Sequence, residues 1–135
     1  MNKVRVAVVG LGFGAEFIPI YQKYSKAECV AICRRDQEKL DACGDQFGIE
    51  KRYTDYAKLL SDPDIDAVHI NSGLAEHAPM AISALKAGKH VASTVTMGMS
   101  VGECEQIVRL EEETGKVYTM METSVYTREY LYFKK

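Results

Sequence analysis

Val6-Ala7-Val8-Val9-Gly10-Leu11-Gly12-Phe13-Gly14-Ala15 sets small apolar residues of strand character directly against a G-x-G-x-x-A turn. Each residue type answers a geometric need. Gly10 permits the tight strand-to-helix turn, Gly12 lets the backbone approach a pyrophosphate with no Cβ in the way, and Ala15 is small enough for the next helix to pack closely on the first strand. Phosphates held there would meet the N–H groups over Phe13, Gly14 and Ala15 and the positive end of a helix dipole. Glycine-rich turns are common, so the text alone is a weak signal. Placed after a strand and before a helix, it predicts a dinucleotide site.

The rest of the chain repeats that alternation. Apolar runs at 3–9, 28–33, 65–71, 89–95 and 116–121 read as strands, with a weak short one at Lys51–Tyr53. Such continuous runs suit strands covered on both faces, as in parallel sheets. Phe17, Ile20, Tyr21 and Tyr24 recur at helical spacing, as do Ala78, Ala81, Ile82 and Leu85; Val101, Cys104, Ile107 and Val108 make a further inward stripe. Asp36 is placed to cap a helix from 37 to about 46, with Gly48 after it. Ser100 and Glu103 form a capping box, and Gly88 and Gly115 stand as C-terminal stops. Pro19 predicts a kink or early break in the first helix. The pattern is that of an α/β, doubly wound parallel sheet, a single three-layer domain of the NAD(P)-binding Rossmann type.

Composition narrows the class. The chain has 135 residues, 17 basic and 19 acidic side chains and a net charge of −2, which gives no argument for nucleic acid or an anionic membrane as partner. No apolar stretch approaches the ~18 residues needed to span a bilayer, and the start of the chain shows no signal-peptide pattern. Cys29, Cys33, Cys43 and Cys104 form no C-x-x-C pair, and His69, His77 and His90 show no ligand spacing near them. They read as reduced packing thiols of a cytoplasmic protein, with no metal site.

The second strand refines the ligand. Where NAD-preferring domains carry an acidic residue for the adenosine ribose, this strand ends Ile32-Cys33-Arg34-Arg35-Asp36. A guanidinium can hold a 2′-phosphate through charge-assisted bidentate bonds that a carboxylate would repel. NADP(H) is therefore the expected cofactor and NAD(H) a permitted one. The competing reading makes Arg34 and Arg35 solvated loop charges and Asp36 a helix cap or ribose ligand. A Rossmann domain for another nucleotide, such as a methyl donor, fits the two arginines less well.

Together with the glycine turn, Tyr53-Thr54-Asp55-Tyr56 leading into Leu59-Leu60, Asp62-Pro63-Asp64-Ile65-Asp66-Ala67-Val68, His77 and Ala84-Leu85-Lys86-Ala87-Gly88-Lys89-His90-Val91 resemble the cofactor domain of the glucose–fructose oxidoreductase, inositol dehydrogenase and MocA (Gfo/Idh/MocA) family. The resemblance implies an NAD(P)-dependent oxidoreductase acting on a hydroxyl or carbonyl group of a sugar, cyclitol or related polyol. It places Ser72 and Gly73 toward the nicotinamide half, where the family usually has a Thr-Pro-Asn loop, and His77 in the loop that opens the next helix. A lone histidine there is more often a packing or capping residue.

Two departures follow. The family's usual Glu-Lys-Pro falls on Thr94, Val95 and Thr96, and valine can neither move a proton nor place a positive charge near a reacting hydroxyl, so the catalytic residues stay unassigned. The family also follows its cofactor domain with a larger substrate domain, which is expected to be absent here. Residues 1–122 read as the dinucleotide-binding domain and 123–135 as a crossover helix leading toward that domain, through which any oligomer would form. Alone, the chain would bind cofactor and be inactive. The alternative is a stand-alone, non-catalytic nucleotide-binding or sensor module.

Overall fold

The computed structural model describes residues 3–134, the side chain of Tyr126 apart. Its strands are β1 (Val4–Val9), β2 (Ala27–Cys33), β3 (Lys51–Tyr53), β4 (Ala67–Ile70), β5 (His90–Thr94) and β6 (Tyr118–Met121). All pair in parallel, in the order β3-β2-β1-β4-β5-β6. Between them run α1 (Ile18–Lys23), α2 (Gln37–Phe47), α3 (Tyr56–Leu60), α4 (Leu74–Lys86) and α5 (Val101–Thr114). Alternation along β1 shows the layering. Val8 joins Ile18, Ile32 and Leu40 under α1 and α2, while Ala7 and Val9 join Leu59, Ile70, Leu85 and Ile107 under α3, α4 and α5. Strand order reverses between β1 and β4, so the connections leaving their C-terminal ends part and open a crevice there.

The opposite end of the sheet is closed by charge. Arg5 donates from Nε and Nη2 to the two carboxylate oxygens of Asp66, at 3.1 and 2.8 Å. That pairing holds the Asp66 carboxyl down at about 2. Buried Lys89 donates to the carbonyls of Asp62 and Ile65, at 2.7 and 2.8 Å, which pins the Asp-Pro-Asp turn before β4. These contacts give the Asp62–Val68 and Gly88–Val91 motifs a structural role far from the crevice.

Several expected helix ends are where their chemistry puts them. Asp36 accepts from the Lys39 amide, Ser100 and Glu103 form their capping box, and Gly48 and Gly115 are left-handed C-caps. Other expectations need correction. The first helix begins as a 3-10 turn, Gly14–Phe17, and becomes α-helical only at Ile18, with Pro19 in its first turn where the missing N–H costs nothing. This change of pitch turns Ile20 and Tyr24 outward and leaves Ile18 as the buried anchor. In α5, Val101 (75% exposed) and Val108 lie outside, and Ile107 and Leu110 are the buried residues. The helix expected over 123–135 is instead a 3-10 turn, Thr123–Tyr126, then α6 (Arg128–Phe133), because Thr127 is extended and caps α6 through the Tyr130 amide. Lys135 lies outside the described residues.

Candidate functional site

The crevice is a cleft of about 1000 Å³ at the C-terminal ends of β1, β2 and β4. Gly10, Leu11 and Gly12 form one wall, Arg34, Arg35 and Asp36 the end beyond β2, and Asn71, Ser72, Gly73 and Glu76 the wall beyond β4. Gly10 has φ +84°, which favours glycine, and a Cβ there would stand 2.5 Å from the Asn71 carbonyl oxygen. At Gly12 a Cβ would meet nothing within 4 Å. At Gly14, one of the expected cofactor-binding residues, it would press on the Asn71 side chain at 3.1 Å, so this glycine serves the close packing of the turn on the end of β4.

Not every expected residue reaches the cleft. Gly10, Gly12, Arg34, Arg35, Ser72 and Gly73 line it. Phe13 is exposed beside it, edge-on to Phe17 with centroids 5.2 Å apart, and Gly14 and Ala15 support the turn from behind. His77 does not line the cleft, and it lies in the first turn of α4 rather than in a loop, because Gly73 is already the N-cap and its carbonyl accepts from the Glu76 amide. The ring is buried. Nδ1 stands 2.8 Å from the Thr96 carbonyl oxygen and Nε2 3.0 Å from that of Ser72, so the imidazole ties the loop after β4 to the loop after β5. Val95 is half-buried just beyond β5, and its peptide bond to Thr96 is cis.

The electrostatics are set by helix caps. Asp36 and Asp55 both line the cleft, yet Asp36 caps α2 and Asp55 caps α3 by accepting from the amides of Ala57 and Lys58. The Lys39 amide bond, with Arg34 nearby, holds the Asp36 carboxyl below the usual range. Arg35 is paired with Glu76 at 3.0 Å across the cleft mouth, whereas Arg34 makes no ion pair with any described residue. Burial pushes the Cys33 thiol at the cleft floor up to about 11, so it lines the cleft as a small apolar group.

A dinucleotide fits these walls on two observations. The space above Gly12 is open, and the buried Asn71 Oδ1 and Ser72 Oγ have no hydrogen-bond partner among the described residues. Such orphaned polar atoms are costly unless a ligand or water meets them. Sequence reasoning passed over Asn71 and Glu76. A polar residue closing the apolar run of β4 was the available signal for Asn71; nothing in the text separates Glu76 from any surface carboxylate.

Comparison with known proteins agrees with this geometry. Residues 4–122 match the model of the Gfo/Idh/MocA oxidoreductase family, NAD-binding Rossmann fold. A glycosyl hydrolase family 109 protein from Shewanella baltica is 38% identical over 97% of this chain, and an alpha-N-acetylgalactosaminidase from Shewanella oneidensis is 36% identical over the same share. The chain spans 31% of the length of each. The crystal structure of scyllo-inositol dehydrogenase from Lactobacillus casei with NAD(H) and scyllo-inositol superposes with a TM-score of 0.86 at 27% identity, covering 98% of this chain and 40% of that one.

Proposed function

The chain belongs to the Gfo/Idh/MocA oxidoreductase family, of which it is an NAD(P)-binding Rossmann unit, and on that premise we propose that its cleft takes NADP(H) in preference to NAD(H). The observation that carries this reading is the unpaired Arg34 at the end of β2, on the same cleft as the open space over Gly12. Gly10 and Gly12, with the backbone N–H groups from Phe13 to Ala15, would hold the pyrophosphate. Arg34 takes the 2′-phosphate, and Arg35 joins it once released from Glu76. Ser72 and Gly73 would meet the nicotinamide half, which would give partners to Ser72 Oγ and Asn71 Oδ1, unpartnered among the described residues. His77 acts as a positioning residue, fixing the loops that carry Ser72 and Thr96.

When bound, the nicotinamide supplies the hydride chemistry, and the chain binds and orients it. The reaction served is exchange with a hydroxyl or carbonyl carbon of a sugar, cyclitol or related polyol. The sugar-processing relatives from Shewanella and the inositol dehydrogenase support that substrate class. The proton-transferring groups belong to the remainder of a longer enzyme, and the 135 residues alone turn nothing over. Val95 favours a second reading, a nucleotide-binding module with no catalysis of its own, since this side chain has no acid–base chemistry. A thermal-shift panel of NADP+, NAD+ and S-adenosylmethionine tests the ligand class: the proposal expects stabilisation ordered NADP+ over NAD+, with none from the methyl donor. Turnover of a polyol by the isolated chain would contradict the division of labour.

A further inference from the structure

We propose that Glu76 is a cofactor-specificity residue, its carboxylate meeting the adenosine ribose end of the dinucleotide from α4 and restraining acceptance of a 2′-phosphate. The inference rests on the reading of Arg34 and Arg35 as the ribose-phosphate end. Two arginines and three carboxylates line the cleft: Arg34 and Arg35 against Asp36, Asp55 and Glu76. Asp36 is spent on the cap of α2 and on Lys39, and Asp55 on the cap of α3. Glu76 caps nothing. Its Oε1 accepts from Nη2 of Arg35 at 3.0 Å, across the cleft mouth from the loop that follows β2.

That placement supplies what β2 lacks. NAD-preferring domains present a carboxylate to the ribose hydroxyls from the end of the second strand; here that position is Arg34, and the available carboxylate comes from the opposite wall. The Arg35–Glu76 pair is exposed, 86% and 43% on its two sides, so it is weak and a ligand can part it. Once parted, Glu76 can accept from a ribose hydroxyl of NAD. Toward NADP it competes with the phosphate for Arg35 and repels it, a repulsion that salt screens over ~8 Å at physiological strength. Arg34 and Glu76 therefore pull the selectivity in opposite directions.

Calorimetric titration of the 135-residue chain with NAD+ and NADP+ tests this in the wild type, Glu76→Gln, Glu76→Ala and Arg34→Ala. Both Glu76 variants are expected to shift the ratio of Kd values toward NADP+ by roughly three- to ten-fold, with the shift shrinking at high salt. A ratio moved by less than two-fold in both variants, while Arg34→Ala still loses NADP+, overturns the role of Glu76 and leaves the reading of the arginines standing. A ratio that Arg34→Ala also leaves unmoved overturns that reading, and this inference with it.

Discussion

The Asn71 carbonyl oxygen lies 2.5 Å from where a Cβ on Gly10 would be, so the turn after β1 and the end of β4 meet backbone to backbone. No side chain at position 10 can be accommodated without moving one of the two strands at the reversal of the sheet. Gly12, two residues on, faces open cleft. The two glycines thus divide the work: one closes the fold, and the other faces the open space where the proposed pyrophosphate site lies.

Gly10→Ala and Gly12→Ala separate these roles. Gly10→Ala combines a positive φ with a clash against rigid backbone and should cost at least about 2 kcal/mol in urea unfolding. Gly12→Ala should leave the unfolding midpoint nearly where it is and lower NADP+ affinity at least ten-fold, because its methyl stands where the pyrophosphate approaches. Equal loss of stability in the two variants would contradict the division.

Arg34→Ala should weaken NADP+ binding by roughly ten- to hundred-fold, the range for losing a charge-assisted hydrogen bond of about 1.5–3 kcal/mol, and change NAD+ binding little. Equilibrium titration with both cofactors reads it directly. Parallel losses for the two would mean that Arg34 serves the pyrophosphate or the fold instead.

His77→Ala should destabilise the chain by about 1–3 kcal/mol, since it removes the ring N–H that the Ser72 or Thr96 carbonyl accepts. A neutral imidazole carries one N–H and can donate to only one of these carbonyls at a time. His77→Gln, with an amide of similar reach, should recover part of the stability and part of the cofactor affinity. Full cofactor affinity in His77→Ala would refute the positioning role.

Stability should also fall between about pH 6.5 and pH 4. His69 is fully buried on β4, its ring tilted against that of Phe17 with centroids 4.6 Å apart and bonded through Nδ1 to the Tyr21 hydroxyl, and burial pushes its pKa down to about 4. The unfolded chain binds this proton first as pH drops, so the folded state loses stability across that window, by about 3 kcal/mol in all. The Asp66 carboxyl, held at about 2 by Arg5, loses its contribution only below about pH 4, so the two windows are distinct. Thermal melts from pH 7 to pH 4 should show the decline in the wild type and a much flatter profile in His69→Gln.

The architecture was largely legible in the text, for identifiable reasons. Strands buried on both faces read as unbroken apolar runs, and the caps at Asp36, Ser100, Gly48 and Gly115 are local hydrogen-bond chemistry that three or four residues specify. The inward stripes were less legible. Helical spacing in Phe17, Ile20, Tyr21 and Tyr24 assumes a constant pitch, and the 3-10 start of that segment rotates the face. At the site, the glycines and arginines were visible because their residue types are unusual where they stand. Asn71 and Glu76 were not, because their meaning comes from Gly10 and from Arg35, residues 61 and 41 positions away in the chain.

Titration calorimetry of the 135-residue chain with NADP+ tests the central claim most directly. The account predicts one binding site per chain, with an affinity that exceeds that for NAD+ and is lost in Gly12→Ala. A folded chain that binds neither cofactor, or binds both unchanged in Gly12→Ala, would contradict it.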